Sequence, residues 1–211
     1  YKIQDVIKKD QVLLIQIVKE ERGTKGAAVT TFISLPGRYS VLLPNNSSTG
    51  GVSKKISNPL DRKRLKKLHD NFNLPDGMSL IIRTNAISAE DNDIIADFNY
   101  LKKLWTKIRE DTLKSKAPTL ITELDTPMIK VARDFNQRTV EEIIFSDLNT
   151  MKLYKRLEKD FSVKSNKKIT HYKDKLPLFE SYGIKNPINS LTEENIYLKS
   201  GGYLVINPTE A

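Results

Sequence analysis

Cysteine is absent from this sequence, which excludes disulfides and thiolate-held zinc or iron–sulfur centres and suits a reducing cytosol. Histidine is almost absent too. His69 and His171 stand far apart in the chain, so paired-imidazole metal motifs and histidine-based catalysis have no support. No apolar run approaches the ~20 residues that cross a bilayer. Tyr1-Lys2-Ile3-Gln4 supplies neither an initiator Met nor an apolar signal core, so a soluble piece excised from a longer chain is expected. Glycine is sparse, at 9 residues, and none falls in the spacing of a Walker loop or a dinucleotide-binding turn. With 38% hydrophobic and 29% charged residues, the chain can still build one or two ordinary cores.

Charge of one sign is in excess. Lys plus Arg total 35 against 26 Asp plus Glu, a net +9. Between residues 51 and 70 the basic residues are Lys54, Lys55, Arg62, Lys63, Arg64, Lys66 and Lys67, against Asp61 and Asp70, so this window alone carries +5. A polyanion is the natural partner of such a patch, because each phosphate it neutralises releases condensed counterions. Charge by itself leaves a solvated, lysine-rich face equally open.

The hydrophobic pattern changes along the chain. Alternation from Gln11 to Lys19, the turn Arg22-Gly23-Thr24-Lys25-Gly26, and the run Ala28–Ser34 predict a long hairpin. Strands are expected at Tyr39–Leu43 and Met78–Arg83, joined by a polar loop to Val52 and a short basic helix at Asp61–Asn71. Ser88-Ala89-Glu90-Asp91 reads as a helix start, and Ile94, Phe98, Leu101, Leu104/Trp105 and Ile108 recur at helical spacing, so residues 89 to about 115 form one amphipathic helix, ended by Ala117-Pro118. Trp105 reads as core. Helical patterns near 128–139, 147–160 and 190–195 alternate with short apolar runs at 142–145, 168–172 and 203–206. The fold class is therefore α+β, a mixed α/β chain without internal repeats.

Catalytic constellations are scarce. Glu90, Asp91, Asp93 and Asp97 could hold a hard cation such as Mg²⁺, but acids near the positive end of a helix dipole explain them more simply. Asp91, Asp93 and Asp134 read as helix-start or surface charges, and no strand carries a convincing aspartate pair. No catalytic and no metal-binding residue is assigned within this chain.

The run from Lys19 to Leu35, followed by Gly37, Val41-Leu42-Leu43-Pro44-Asn45-Asn46, Gly50-Gly51-Val52-Ser53, Gly77-Met78, Ile82-Arg83-Thr84 and Leu101-Lys102-Lys103-Leu104-Trp105, closely resembles the ribonuclease E/G family in order and spacing. Ala132-Arg133-Asp134, Leu176-Pro177-Leu178-Phe179, Ser200-Gly201-Gly202 and Pro208-Thr209-Glu210-Ala211 extend the resemblance over almost the whole chain. It implies the end of an S1-type OB barrel at 1–31, a 5′-monophosphate sensor at 32–129, an RNase H-like subdomain at 130–192 and the start of a DNase I-like subdomain at 193–211. The catalytic aspartates that hold Mg²⁺, the zinc-linking cysteines and the small dimerisation domain are implied to lie beyond Ala211.

By the same resemblance, Gly37, Val41, Arg83 and Thr84 form a pocket for the 5′-monophosphate of single-stranded RNA. The chemistry fits. Arg83 offers a planar fork, Thr84 a hydroxyl, and backbone N–H groups near Gly37 and Val41 are expected to approach a phosphate closely. Lys25 resembles an RNA-facing lysine of the barrel, and Phe32 or Tyr39 could stack on bases, with core packing favoured for Phe32. Lys54-Lys55 stands where family members carry an Arg pair, keeping the charge and losing the fork, and Asn207 stands where Asp is common. The implied whole is an Mg²⁺-dependent endoribonuclease of the bacterial cytoplasm or the inner-membrane periphery. It would cut AU-rich single-stranded RNA, form homo-oligomers and work with RNA-degradation complex proteins. The competing class is a non-catalytic, OB-fold RNA-binding or translation-associated factor.

Overall fold

The structure, a computed structural model, describes residues 2–47, 50–134, 140–161 and 167–207. Within them the chain is α+β, as expected, with short strands gathered in four small sheets between helices. It divides into two compact units, residues 1–139 with 152–166 and residues 140–151 with 167–211. The motif Pro208-Thr209-Glu210-Ala211 and the end of the helix expected to reach residue 139 lie outside the described residues.

In the first unit a single helical turn, α1 (Ile3–Val6), precedes the antiparallel hairpin β1 (Gln16–Lys19) and β2 (Ala28–Thr30). Reciprocal backbone bonds between Arg22 and Lys25, at 3.0 and 3.1 Å, close its turn, where Gly23 takes φ +58. The hairpin is shorter than its alternation predicts. Ile17, Val18 and Val29 are more than half exposed, so no buried face reinforces the pattern beyond the few paired residues. Phe32, expected in the core, is 61% exposed. The Gln16 amide grips the Ser34 backbone from both sides, at 2.8 and 3.0 Å, and ties the hairpin to the segment that follows.

That segment enters a four-stranded sheet ordered β3-β4-β6-β5, built from β3 (Leu35–Pro36), β4 (Ser40–Leu43), β5 (Gly51–Val52) and β6 (Ser79–Ile82). β4 runs antiparallel to β3 and β6, while β5 runs parallel to β6. Ser40 and Leu42 face Ile82 and Leu80 on the buried side, while Val41 faces Ile81 on the other and both stay half-buried. Between β5 and β6 runs α2 (Pro59–Asp70), capped by the Asn58 side chain, which accepts the Leu60 N–H at 2.9 Å, with proline in the first turn.

α3 (Asp91–Lys114) supplies the long amphipathic helix and ends ahead of Pro118. Its cap differs from expectation. Glu90 is the extended N-cap and makes no side-chain cap bond, whereas Ser88 belongs to a 3-10 turn at Thr84–Ser88. Two apolar clusters hold this unit together. In one, Phe98, Leu101 and Ile108 of α3 meet Ile33, Leu35, Leu42 and Leu80, with Trp105 packed against them as core. In the other, Ile94 meets Leu65 and Leu68 of α2 with Ile56, Ile82 and Ala86. α4 (Pro127–Asp134) buries Ala132 and Arg133.

The second unit contains parallel strands β7 (Glu142–Phe145) and β8 (Lys168–His171); between them in the chain runs α5 (Leu148–Asp160), whose residues from 152 on belong to the first unit. A parallel pair needs such a crossover. Two short helices follow, α6 (Leu178–Ser181) and α7 (Lys185–Ser190), and then the antiparallel hairpin β9 (Asn195–Tyr197) and β10 (Tyr203–Val205). The helix expected at 190–195 is not formed. α7 stops at Ser190, turn bonds from Thr192 and Glu193 close it off, and Ile196 and Tyr197 pair with Leu204 and Tyr203 instead. Six residues of periodicity cannot separate helix from strand, and cross-strand pairing decided the outcome.

Candidate functional site

The site grows from one tight turn. Gly37-Arg38-Tyr39-Ser40 links β3 to β4, closed by a bond from the Gly37 N–H to the Ser40 carbonyl at 2.8 Å. A two-residue hairpin normally closes with a second, reciprocal bond. Here both partners of that bond are engaged elsewhere. The Ser40 N–H donates to Asp97 Oδ2 at 2.9 Å, and the Gly37 carbonyl accepts Arg83 Nη1 at 2.5 Å.

Asp97 is the anchor. Its carboxylate also accepts the N–H groups of Arg38 at 2.8 Å and Tyr39 at 3.1 Å and the Ser40 hydroxyl at 2.7 Å. With 2% of its surface exposed, it is no helix-start surface acid, as the sequence reading had it. Burial pushes its carboxyl above the ordinary value, against the pull of Ser40 and of the Arg38, Tyr39 and Ser40 N–H groups. The signal lay in the helical pattern. Residue 97 falls three after Ile94 and four before Leu101, on the stripe that packs the core. The other acids of that cluster scatter, with Asp91 paired to Arg64 at 2.5 Å.

Gly37 is required by this anchor. A Cβ on residue 37 would lie 2.5 Å from Asp97 Oδ2, a distance real Cβ atoms do not reach. The glycine thus makes room for a carboxylate of the same chain, where the sequence reading had it make room for a ligand. Its N–H is committed within the turn. The ladder register also assigns the Val41 N–H to β6. Tyr39 and Arg83 form a bonded pair at 2.8 Å, Val41 stands opposite Ile81 two residues along, and bonded pairs alternate. What Val41 presents is a half-buried apolar side chain, on the strand face it shares with Ile81.

Arg83 follows β6 directly. Its Nη1 is shared between the Gly37 carbonyl and Asp134 Oδ1, the latter at 2.9 Å. Among the described residues, Nη2 and Nε have no partner, so one edge of the fork is held and the other is open. Thr84, exposed, comes next. Asp134, read from sequence as a surface charge, bridges two arginines. Its Oδ2 accepts Arg133 Nη2 at 2.6 Å and Nε at 3.0 Å. Burial works to raise the Asp134 carboxyl, but the Arg133 hydrogen bond and the charges of Arg83 and Arg133 outweigh it and hold the group below its ordinary value. Arg133 is 5% exposed and its Nη1 has no acceptor. Local sequence contains no sign of this pairing, which spans 51 residues.

Lys54 and Lys55 lie on the turn after β5, both exposed. The Ser53 N–H bonds the Ile82 carbonyl at 2.9 Å, which continues the β5–β6 register and sets Ser53, the residue before Lys54, opposite Arg83. Lys25 sits in the β1–β2 turn, and no hydrogen bond or ion pair joins it to this cluster among the described residues. Tyr39 packs against the α2–α3 cluster, with Arg38 over its ring at 5.3 Å. No group of three or more His, Asp or Glu side chains converges among the described residues, so these residues do not fit an Mg²⁺ centre. No helix among them is long and apolar enough to cross a membrane.

Arg83, half of whose fork is open among the described residues, the exposed Thr84 and the exposed Lys54 and Lys55 together make a candidate site for an anion on an α+β scaffold. The sequence matches the Ribonuclease E/G family over residues 34–211, and the chain belongs to that family. It is 37% identical to "Ribonuclease E" of Escherichia coli (strain K12), aligned over 99% of this chain and 20% of that protein. It is also 37% identical to "Putative ribonuclease E" of Buchnera aphidicola subsp. Baizongia pistaciae, over 99% of this chain and 51% of that protein. With "Ribonuclease G" of Haemophilus influenzae it shares 36% identity, over 99% of this chain and 42% of that protein. The chain therefore spans between a fifth and about half of these relatives' lengths.

Proposed function

We propose that this chain is the RNA-gripping part of an endoribonuclease and that its site receives the 5′-monophosphate end of single-stranded RNA. The observation that carries this reading is the state of Arg83. One nitrogen is fixed by the Gly37 carbonyl and Asp134, so the remaining N–H groups are held in place for a ligand. A terminal phosphate brings more than one negative charge and several acceptor oxygens. An oriented guanidinium and the Thr84 hydroxyl suit it, and the Val41 side chain offers an apolar surface beside them. Lys54 and Lys55 supply charge without end specificity, and Lys25 touches RNA separately from the hairpin turn.

In this reading the β1–β2 hairpin is part of an S1-type barrel, residues 32–129 are the 5′ sensor, and residues 130–192 and 193–211 belong to RNase H-like and DNase I-like subdomains. The exposed apolar side chains of β1, β2, β9 and β10 are the surfaces that the rest of a family protein would cover. The whole protein would hydrolyse AU-rich RNA with Mg²⁺ held by residues outside this chain, carry a zinc link, form homo-oligomers, and act in the cytoplasm with RNA-degradation complex proteins.

The test is a fluorescence-polarisation titration with matched 5′-monophosphate and 5′-hydroxyl oligonucleotides. The monophosphate form should bind more tightly by a few kcal/mol at most, taking charge-assisted bonds at roughly 1.5–3 kcal/mol each before desolvation. Arg83→Lys should erase most of the difference, since an ammonium lacks the rigid planar fork that offers parallel N–H groups from two nitrogens. Equal affinities in the unmodified chain would reject the pocket.

A further inference from the structure

The two kinds of cation on α2 are used differently. Its arginines are structural. Arg62 Nη1 donates to the Ser53 and Ile56 carbonyls at 3.1 and 3.4 Å. Arg64 donates to the carbonyls of Ala86, Ile87 and Ala89 and pairs with Asp91. Leu65 and Leu68 point into the core. What remains is Lys63, Lys66 and Lys67, spaced as neighbours on one helix face, all exposed, and none in an ion pair or hydrogen bond among the described residues. Asp61 and Asp70 are the only acids on the helix, and Asp70 is already met by His69 Nδ1 at 3.4 Å.

This face is continuous with the end pocket. Arg62 binds the Ser53 carbonyl, Ser53 precedes Lys54 and Lys55, and the Ser53 N–H bonds the carbonyl of Ile82, the residue before Arg83. A path of cations therefore leads from Arg83 over Lys54 and Lys55 to Lys63, Lys66 and Lys67. Flexible, unpaired lysines on an exposed helix suit a diffuse polyanion better than a single planar group.

We propose that the outer face of α2 carries the phosphodiester backbone of single-stranded RNA, in the stretch that follows a 5′ end held at Arg83. The placement of the 5′ end rests on the reading of the Arg83 pocket, whereas backbone binding at α2 can be tested separately. The face reads neither base nor end, so it contributes affinity and salt dependence alone.

The experiment uses the complete protein in a chelating buffer, with a 5′-hydroxyl and a 5′-monophosphate single-stranded oligonucleotide titrated across a salt series. The variant Lys63→Gln/Lys66→Gln/Lys67→Gln is compared with Lys102→Gln/Lys103→Gln/Lys107→Gln, which removes the same charge from exposed positions of α3. Gln and Lys have similar helix propensity, so equal melting temperatures are expected and serve as the folding check. The α2 variant should lower the slope of log affinity against log salt by about 2, at ~0.7 for each single-strand phosphate contact, and weaken binding roughly ten- to a hundredfold at 0.1 M salt. The ratio of monophosphate to hydroxyl affinity should stay unchanged, and the α3 variant should keep the original slope. An unchanged slope in the α2 variant, or an equal drop in both variants, overturns the proposal. So does unaltered RNA binding with lost binding to phosphatidylglycerol vesicles, which would make the face a membrane contact. A monophosphate-to-hydroxyl ratio of one in the unmodified protein would instead remove the end pocket and leave the α2 face standing on its slope.

Discussion

Gly37→Ala asks whether residue 37 is small for a ligand or for Asp97. The added methyl would sit 2.5 and 2.6 Å from the two carboxylate oxygens and 2.8 Å from Cγ. Neither side can yield cheaply. The carboxylate is buried and held by four donors between 2.7 and 3.1 Å, and residue 37 is held by its own N–H bond to Ser40. Charge-assisted bonds contribute about 1.5–3 kcal/mol each, and a partial shift of the turn would weaken two or more of them. A loss of about 3–5 kcal/mol follows, at the severe end for one methyl group. For a domain of this size that is a fall in Tm of roughly 10 °C. The assay is thermal unfolding followed by circular dichroism, without RNA, and repeated in an Asp97→Ala background. There the methyl meets space, and its cost should drop below about 1 kcal/mol, a coupling that only contacting residues show. A Gly37→Ala protein that melts within 2 °C of the original would refute the account and return the glycine to a role in ligand approach.

Asp134 carries a pH signature. Its carboxyl is held below the ordinary 3.8, so it contributes stability above that pH, and the contribution is lost as pH falls through the lower folded-state value. The Tm gap between the original chain and Asp134→Asn should be present at pH 6 and close in strongly acidic buffer. Replacing Lys54 and Lys55 by Ala should weaken 5′-hydroxyl and 5′-monophosphate RNA alike and flatten the salt dependence; an effect confined to the monophosphate would place both lysines in the end pocket. The chain purified alone with Mg²⁺ should not cut RNA, because anchoring a hydrolytic metal takes convergent carboxylates. Mg²⁺-dependent cleavage that vanishes on mutating an acid such as Asp93 would overturn this.

Long periodic elements were legible in the sequence. α3 and α5 lie where apolar spacing put them, because enough consecutive residues repeat one period, and the four-residue strands β4, β6, β7 and β8 lie where short apolar runs were read as strands. β3 and β5, of two residues each, have no period to read and exist only by pairing with β4 and β6. The candidate site divides in the same way. Arg83 and Thr84 stood out because a cation and a hydroxyl end a strand. Asp97 and Asp134 did not, since each takes its meaning from residues more than 45 positions away in the chain. Asp97 could have been flagged as an acid on a buried helical stripe. Asp134 showed locally only its neighbour Arg133, and its link to Arg83 carried no local signal.

The turn at Gly37–Ser40 is a hairpin that does not close itself. Local hairpins form early because their ends are near in sequence, but this one borrows its second clasp from α3, 57 residues on, and from the end of β6, 46 residues on. Until α3 packs and β6 adds to the sheet, the Ser40 N–H and the Gly37 carbonyl are left to each other or to water, and Arg83 lacks the carbonyl that helps to orient it. The open edge of Arg83 is therefore oriented only when the unit has assembled, so a ligand held there would select the assembled state and raise its stability by mass action. Loosening α3 at its core side, far from any phosphate, should blunt recognition as surely as altering the arginine.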